Sequence, residues 1–299
     1  MKHYVGGIIF LASSAILCAK PGNSQDNVTM PEPPMLGIHW ARGASGNAPA
    51  AGPGAGSTSL LQYNGGDIMK SAVVKAIYWG SSWMNSSFVG DKITGLASFY
   101  GGEGGSNYST TCNEYTGTSG AVGDALTYNG YQIDTSAAVK NGSRTAPILA
   151  EVCKIIGNGA VTNGYYPVYI DQPRGHAGFC AWHSWGSCNG VNIQFAFFFN
   201  LDGDPGCDPQ DSVTSHSQGL SALANVSGHE LSEARTDPRG AGWYDSSGAE
   251  NADKCAWTFG KTALQFTNGS TWKVQGNWSN AAYTANTGYT RGCIDGNPK

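Results

Sequence analysis

The chain has 299 residues, with 17 Lys and Arg against 21 Asp and Glu, and only 13% of it is charged. No basic surplus exists to neutralise phosphates, which argues against a nucleic-acid binder; 43 glycines and so few charges exclude a coiled coil or a solvated acidic tail. Apolar residues at 40% suffice for a sizeable core.

Lys2 and His3 precede an apolar run from Val5 to Ala19. That run is short for a membrane span and has the layout of a signal peptide, so residues 1–24 are expected to direct export to the extracellular space. No later run is apolar enough to span a bilayer. Residues 25–66 hold Pro31, Pro33, Pro34 and a Gly/Ala/Pro stretch around Ala48 to Gly56, which predicts a linker or surface arm. A single domain is then expected over residues 67–299. The chain has eight cysteines, and with Cys18 in the leader an odd number remains, so at least one thiol lacks an intramolecular partner. Export favours disulfides, and the expected bridges are Cys180–Cys188, from their short separation, and Cys207–Cys255.

Val73 to Trp79 reads as a buried strand ended by Gly80. Phe88 to Tyr100 has helical spacing, Tyr108 to Ile133 reads as strands and turns, and Ala146 to Ile156 as a short helix closed by Gly157. Tyr165 to Ile170 and Val191 to Phe199 read as strands, the second aromatic enough for burial on both faces. His216 to Asp237 reads as one helix ended by Pro238. Leu220, Leu223, Leu231 and Ala234 fall on one side of it. Ala222, Val226, His229 and Glu233 fall on the other, so one face is expected in the core and one at a site. The predicted class is α+β, with a mixed β-sheet and a long motif-bearing helix, zincin-like by analogy of layout.

His229-Glu230-Leu231-Ser232-Glu233 is an H-E-x-x-E pattern. Residues at i and i+4 share a helix face, so His229 and Glu233 can point at one ion while Glu230 reaches toward a water beside it. Asp237 lies one turn further on. Asp245, Glu250 and Asp253 follow in an acid-rich return segment, and Glu250 or Asp237 is the expected third ligand. Zinc is the expected ion, although oxygen-rich ligation also admits calcium, manganese or magnesium. A bland alternative has His229 and the two glutamates pairing locally. Asp202, Asp204, Asp208 and Asp211 form a second acidic loop that can be read as a calcium site or as metal-free turns. His183, between Cys180 and Cys188 in a Trp-rich stretch read as a loop, is a further candidate donor. Trp272, Trp278, Tyr283 and Tyr289 suit either sugar stacking or a core.

Val74-Lys75-Ala76-Ile77-Tyr78-Trp79-Gly80, Gly178-Phe179-Cys180, the aromatic strand before the helix, Thr236-Asp237-Pro238 and Gly242-Trp243-Tyr244 resemble a distant microbial branch of the phosphate-induced, exordium-type secreted proteins. The likeness spans roughly residues 70 to 258 in short motifs. It implies an extracellular or cell-wall location and supplies no catalytic precedent. The plant members carry apolar or small residues where His229, Glu230 and Glu233 stand. Two functions are therefore expected in competition. One is a secreted metal-dependent hydrolase acting on protein or peptide, with Glu230 as general base. The other is a non-catalytic extracellular protein that binds a cell-wall polymer or glycan.

Overall fold

The computed structural model describes Met1 and residues 32–44 and 60–297. The leader and the Gly/Ala/Pro stretch lie outside the described residues. From Glu32 onward the chain is one compact unit. Six strands form its main sheet: β1 (Leu36–Trp40), β2 (Ser71–Trp79), β3 (Ala125–Asp134), β4 (Gly164–Pro173), β5 (Phe179–Cys188) and β6 (Val191–Asn200). Three helices pack on it: α1 (Lys92–Glu103), α2 (Thr145–Ile156) and α3 (Gln218–Thr236). Among the described residues no helix is long and apolar enough to cross a membrane.

The sheet order is β1-β5-β6-β4-β2-β3. The four strands β3, β2, β4 and β6 run parallel, whereas β5 is antiparallel to both β6 and β1. The sheet is therefore mixed, as expected. Asn189 and Gly190, at φ 51° and 81°, form the tight β5–β6 turn, a conformation that Asn and Gly adopt at low cost. β6 is apolar on both faces because both are covered. On one face Trp182 stacks on Phe197, and a Cβ at Gly186 would meet Leu149 of α2. On the other, the Tyr169 hydroxyl bonds both Tyr100 of α1 and Ser227 of α3.

Three sequence expectations are corrected. The arm placed over residues 25–66 supplies β1, a strand of the main sheet, and Gln62–Tyr63, which pairs with Trp243–Tyr244. The Trp-rich stretch around His183 is a strand, β5, whose alternate residues enter the two layers. The helix α3 has no solvent face: every residue from Gly219 to Thr236 is buried, because the C-terminal segment covers the side opposite the sheet. Ser217 caps α3 by accepting the Leu220 N–H, and the helix ends where Asp237 leaves helical geometry before Pro238.

The expected disulfides are also corrected. Cys180 pairs with Cys207, Cys153 with Cys188, and Cys255 with Cys293; among the described residues Cys112 is the free thiol, and it is buried. Cys180 and Cys188 sit at opposite ends of a ten-residue extended strand, which short sequence separation cannot bridge. The bridges fit the expected disulfide-bonded character and are compatible with an oxidising compartment.

Candidate metal centre

α3 carries His229 and Glu233 one turn apart, facing β5 and β1. His183 points to the same side from the middle of β5. Opposite them, a short 3-10 turn, Asp253–Cys255, and the preceding Glu250 close the site, tethered by the Cys255–Cys293 bridge. Two donor groups result: His183, Glu233 and Glu250, and His229, Glu233 and Asp253, with the donor atoms of each group within 4.8 Å of one another. Glu233 belongs to both.

Within each group the distances are those of ligands around one ion. His229 Nε2 lies 3.1 Å from Glu233 Oε2 and 3.6 Å from Asp253 Oδ1, and His183 Nε2 lies 3.4 Å from Glu250 Oε2. Two donors each ~2.1 Å from a tetrahedral ion stand roughly 3.4 Å apart. His183 Nε2, His229 Nε2, Glu233 Oε2 and Glu250 Oε2 are all buried without a hydrogen-bond partner. Leaving such atoms unpaired is costly, so each group fits a cation that its donors share.

The electrostatics agree. Burial pushes the carboxyls of Glu233, Glu250 and Asp253 well above the usual range, and their mutual charges push Glu250 and Asp253 further. Lys254, the adjacent cation, is engaged by Asp245 at 2.8 Å. Burial also lowers His183 and His229 to about 3, so both rings are neutral and able to ligate at neutral pH. The buried acids thus hold protons until a cation replaces them.

Other site residues tune this centre. Gln275, whose backbone N–H donates to Asn225 Oδ1, gives its side-chain amide hydrogens to Ala252 O at 2.8 Å and His229 Nδ1 at 3.0 Å. A carbonyl only accepts, so the Gln275 atom facing Ala252 is the nitrogen. His229 Nδ1 is therefore an acceptor, and the neutral ring carries its proton on Nε2. An ion at that nitrogen displaces this proton and requires the Gln275 amide to turn over. His183 has no bond on either nitrogen and needs no such change. Gln275 Oε1 also accepts from His39 Nε2 at 2.9 Å, and the His39 and His229 rings lie 4.3 Å apart.

The structure places the remaining expected site residues as follows. Glu230 is fully buried with neither carboxylate oxygen bonded, and burial plus the charges of Glu233 and Asp253 raise its pKa well above the usual range. Asp237 is in neither donor group. Its Oδ1 accepts the N–H groups of Ala241 and Gly242, which ends α3 in a closed turn. The aspartates of the second acidic loop do not converge: Asp202 pairs with Lys92, Asp204 with Arg174, and Asp211 with the Thr214 and Ser221 hydroxyls, so the metal-free reading accounts for them. Trp272 is in the core beside Phe99, and Trp278 is buried against Tyr283. Sequence reasoning missed His39 and Gln275. It ranked His183 as a loop histidine and passed over Asp253 as a ligand.

A pocket of about 340 Å³ opens beside the centre, lined by Glu250 and Asp253 but not by His183, His229 or Glu233. Its lining includes Leu36, Gly37 and Ile38 of β1, Tyr244, Glu250 and Asp253. The sequence matches no protein-family model, and no curated protein matches it.

Proposed function

We propose that the protein is a metal-dependent hydrolase acting on peptide bonds, with the ion held by His183, Glu233 and Glu250. The observation that carries this reading is the gathering of buried, unbonded nitrogen and oxygen donors into groups that share Glu233, beside a pocket. A divalent cation there supplies a Lewis acid for the scissile carbonyl and activates water. Glu230 takes the proton that the attacking water loses as its oxygen joins the carbonyl carbon. The same carboxyl returns that proton to the amine nitrogen as the carbon–nitrogen bond breaks. Asp253 steadies the centre from the chain side: its N–H donates to Glu233 Oε1 at 2.8 Å, and its Oδ2 accepts the Glu250 N–H at 3.1 Å.

Metal analysis tests the reading. Protein purified at neutral pH without chelators is expected to hold about one equivalent of a divalent ion, with zinc the first candidate, and His183→Ala is expected to lose it. A folded wild type that takes up no divalent ion removes the hydrolase and leaves the extracellular wall-binding function.

A further inference from the structure

We infer that β1 lies in the path of the substrate: the channel between β5 and α3 takes an extended polypeptide, and residues 35–40 of the chain occupy it as a substrate-like strap. This rests on the hydrolase reading for what happens to a bound peptide. The strap itself stands on separate observations.

β1 pairs antiparallel with β5, the strand that carries His183 to the centre, with Leu36 opposite His183 and His39 opposite Ala181. The ladder is irregular between those pairs. In that irregular stretch Gly37, at φ +46°, brings main chain directly onto the donors. A Cβ there would stand 2.0 Å from Glu233 Oε2 and 2.7 Å from His183 Nε2. Only glycine fits so close a backbone approach. An extended main chain that adds to a sheet edge and presents peptide groups to buried donors is how a strand-shaped peptide ligand binds. The strap seals the centre: His183, His229 and Glu233 are 0% exposed.

A latch of its own holds the strap. Trp257 adopts φ 59°, a left-handed conformation that is costly for a bulky residue. From it the indole Nε1 donates to Trp40 O at 2.9 Å, and the ring packs edge-on against His39 at 4.5 Å. Upstream, the Ser184 hydroxyl donates to Pro34 O at 2.7 Å.

Histidine footprinting on the full-length chain tests this without needing activity. Wild type, Gly37→Ala and Trp257→Gly are treated with diethyl pyrocarbonate, and modification at His183 and His229 is read by peptide mass spectrometry, with far-ultraviolet circular dichroism confirming the fold. The expected result is at least ~10-fold faster modification of both histidines in either folded variant. A synthetic peptide of residues 33–42 should restore protection to Gly37→Ala, and its Gly-to-Ala analogue should not. If Gly37→Ala fails to fold, Trp257→Gly and hydrogen exchange of the wild type still decide. β1 amides should exchange at least ~100-fold faster than those of β6. The inference is overturned if both histidines stay protected in the folded variants, or if β1 exchanges only with global unfolding. Peptide-reversible exposure in a protein that binds no metal would sink the hydrolase reading while leaving the strap in place.

Discussion

The return segment after α3 contains two kinds of buried acid within seventeen residues, and the contrast between them separates scaffold from site. Asp237 and Asp245, in its first half, are fully engaged. Asp237 accepts two backbone N–H groups, and Asp245 accepts from the Ser247 and Ala249 N–H groups, the Ser247 hydroxyl and Lys254. In the second half, Glu250 Oε2 has no hydrogen-bond partner and faces His183 at 3.4 Å, beside the equally unbonded Glu233 Oε2 of α3. An acid satisfied by backbone donors and an ammonium has no need of an ion. An acid buried without a donor requires a proton or a cation. A candidate ligand is marked by lack of a protein partner together with neighbouring unbonded donors, which acid-rich composition alone does not reveal.

Exchanging members of the two classes gives the largest expected effect. Glu233→Gln and Glu250→Gln should each weaken divalent-ion affinity by at least ~100-fold while the protein stays folded. Asp245→Asn should leave affinity within ~3-fold of wild type. Titration with a competing chelator measures both, and equal losses in the two classes would erase the distinction. Within the histidines, His183→Ala should cost more affinity than His229→Ala. Gln275→Glu, which supplies an acceptor for His229 Nδ1–H, should strengthen rather than weaken ion binding.

Glu230 is unbonded but lies in neither donor group, so it probes chemistry apart from ligation. Glu230→Gln should keep the ion and reduce peptide hydrolysis at least ~100-fold. Side-by-side digestion of a peptide library by wild type and variant checks it, and equal cleavage would remove Glu230 as the base.

Glu103 on α1 extends the contrast to a buried acid with no bonded partner and no neighbouring donors to share an ion. Burial raises its pKa to about 8 against the opposing charge of Arg235. The folded state therefore holds a proton that the unfolded chain has already released above its ordinary pKa of 4.5. Stability from this group is complete below about pH 4.5 and is lost as pH rises toward about 8, by at most ~1.4 kcal/mol per pH unit. Urea midpoints measured between pH 5 and 8 should fall less steeply in Glu103→Gln than in wild type. An unchanged slope would show that Glu103 stays ionised in the fold.

The smallest effect is expected at Asp237. Asp237→Ala strands the N–H groups of Ala241 and Gly242 and should cost about 1–2 kcal/mol of stability with ion binding unchanged. Loss of the ion in a variant that melts like wild type would return Asp237 to the ligands.

Much of this was readable in the order of residues. The pattern of His229, Glu230 and Glu233 fixes their shared turn of α3, because helical geometry is local, and the span read as His216 to Asp237 matches the helix to within two residues at each end. Val73 to Trp79 and Val191 to Phe199 announce their strands by continuous apolar runs, and the Glu250 region announces itself by acidity. Tertiary structure alone decided the rest. His183 reads as a loop histidine because Trp, Gly and Cys around it mask the alternation that a strand buried on both faces no longer needs to show. His39 sits in a segment whose prolines and glycines suggest an arm, and only pairing with β5 makes that segment a strand. The cysteine partners, the match of Gln275 to His229, and the difference between a capped Asp237 and an uncapped Glu250 all depend on which backbone groups arrive from tens or hundreds of residues away. Those approaches are set by how the C-terminal segment folds over α3, and no local spacing encodes them.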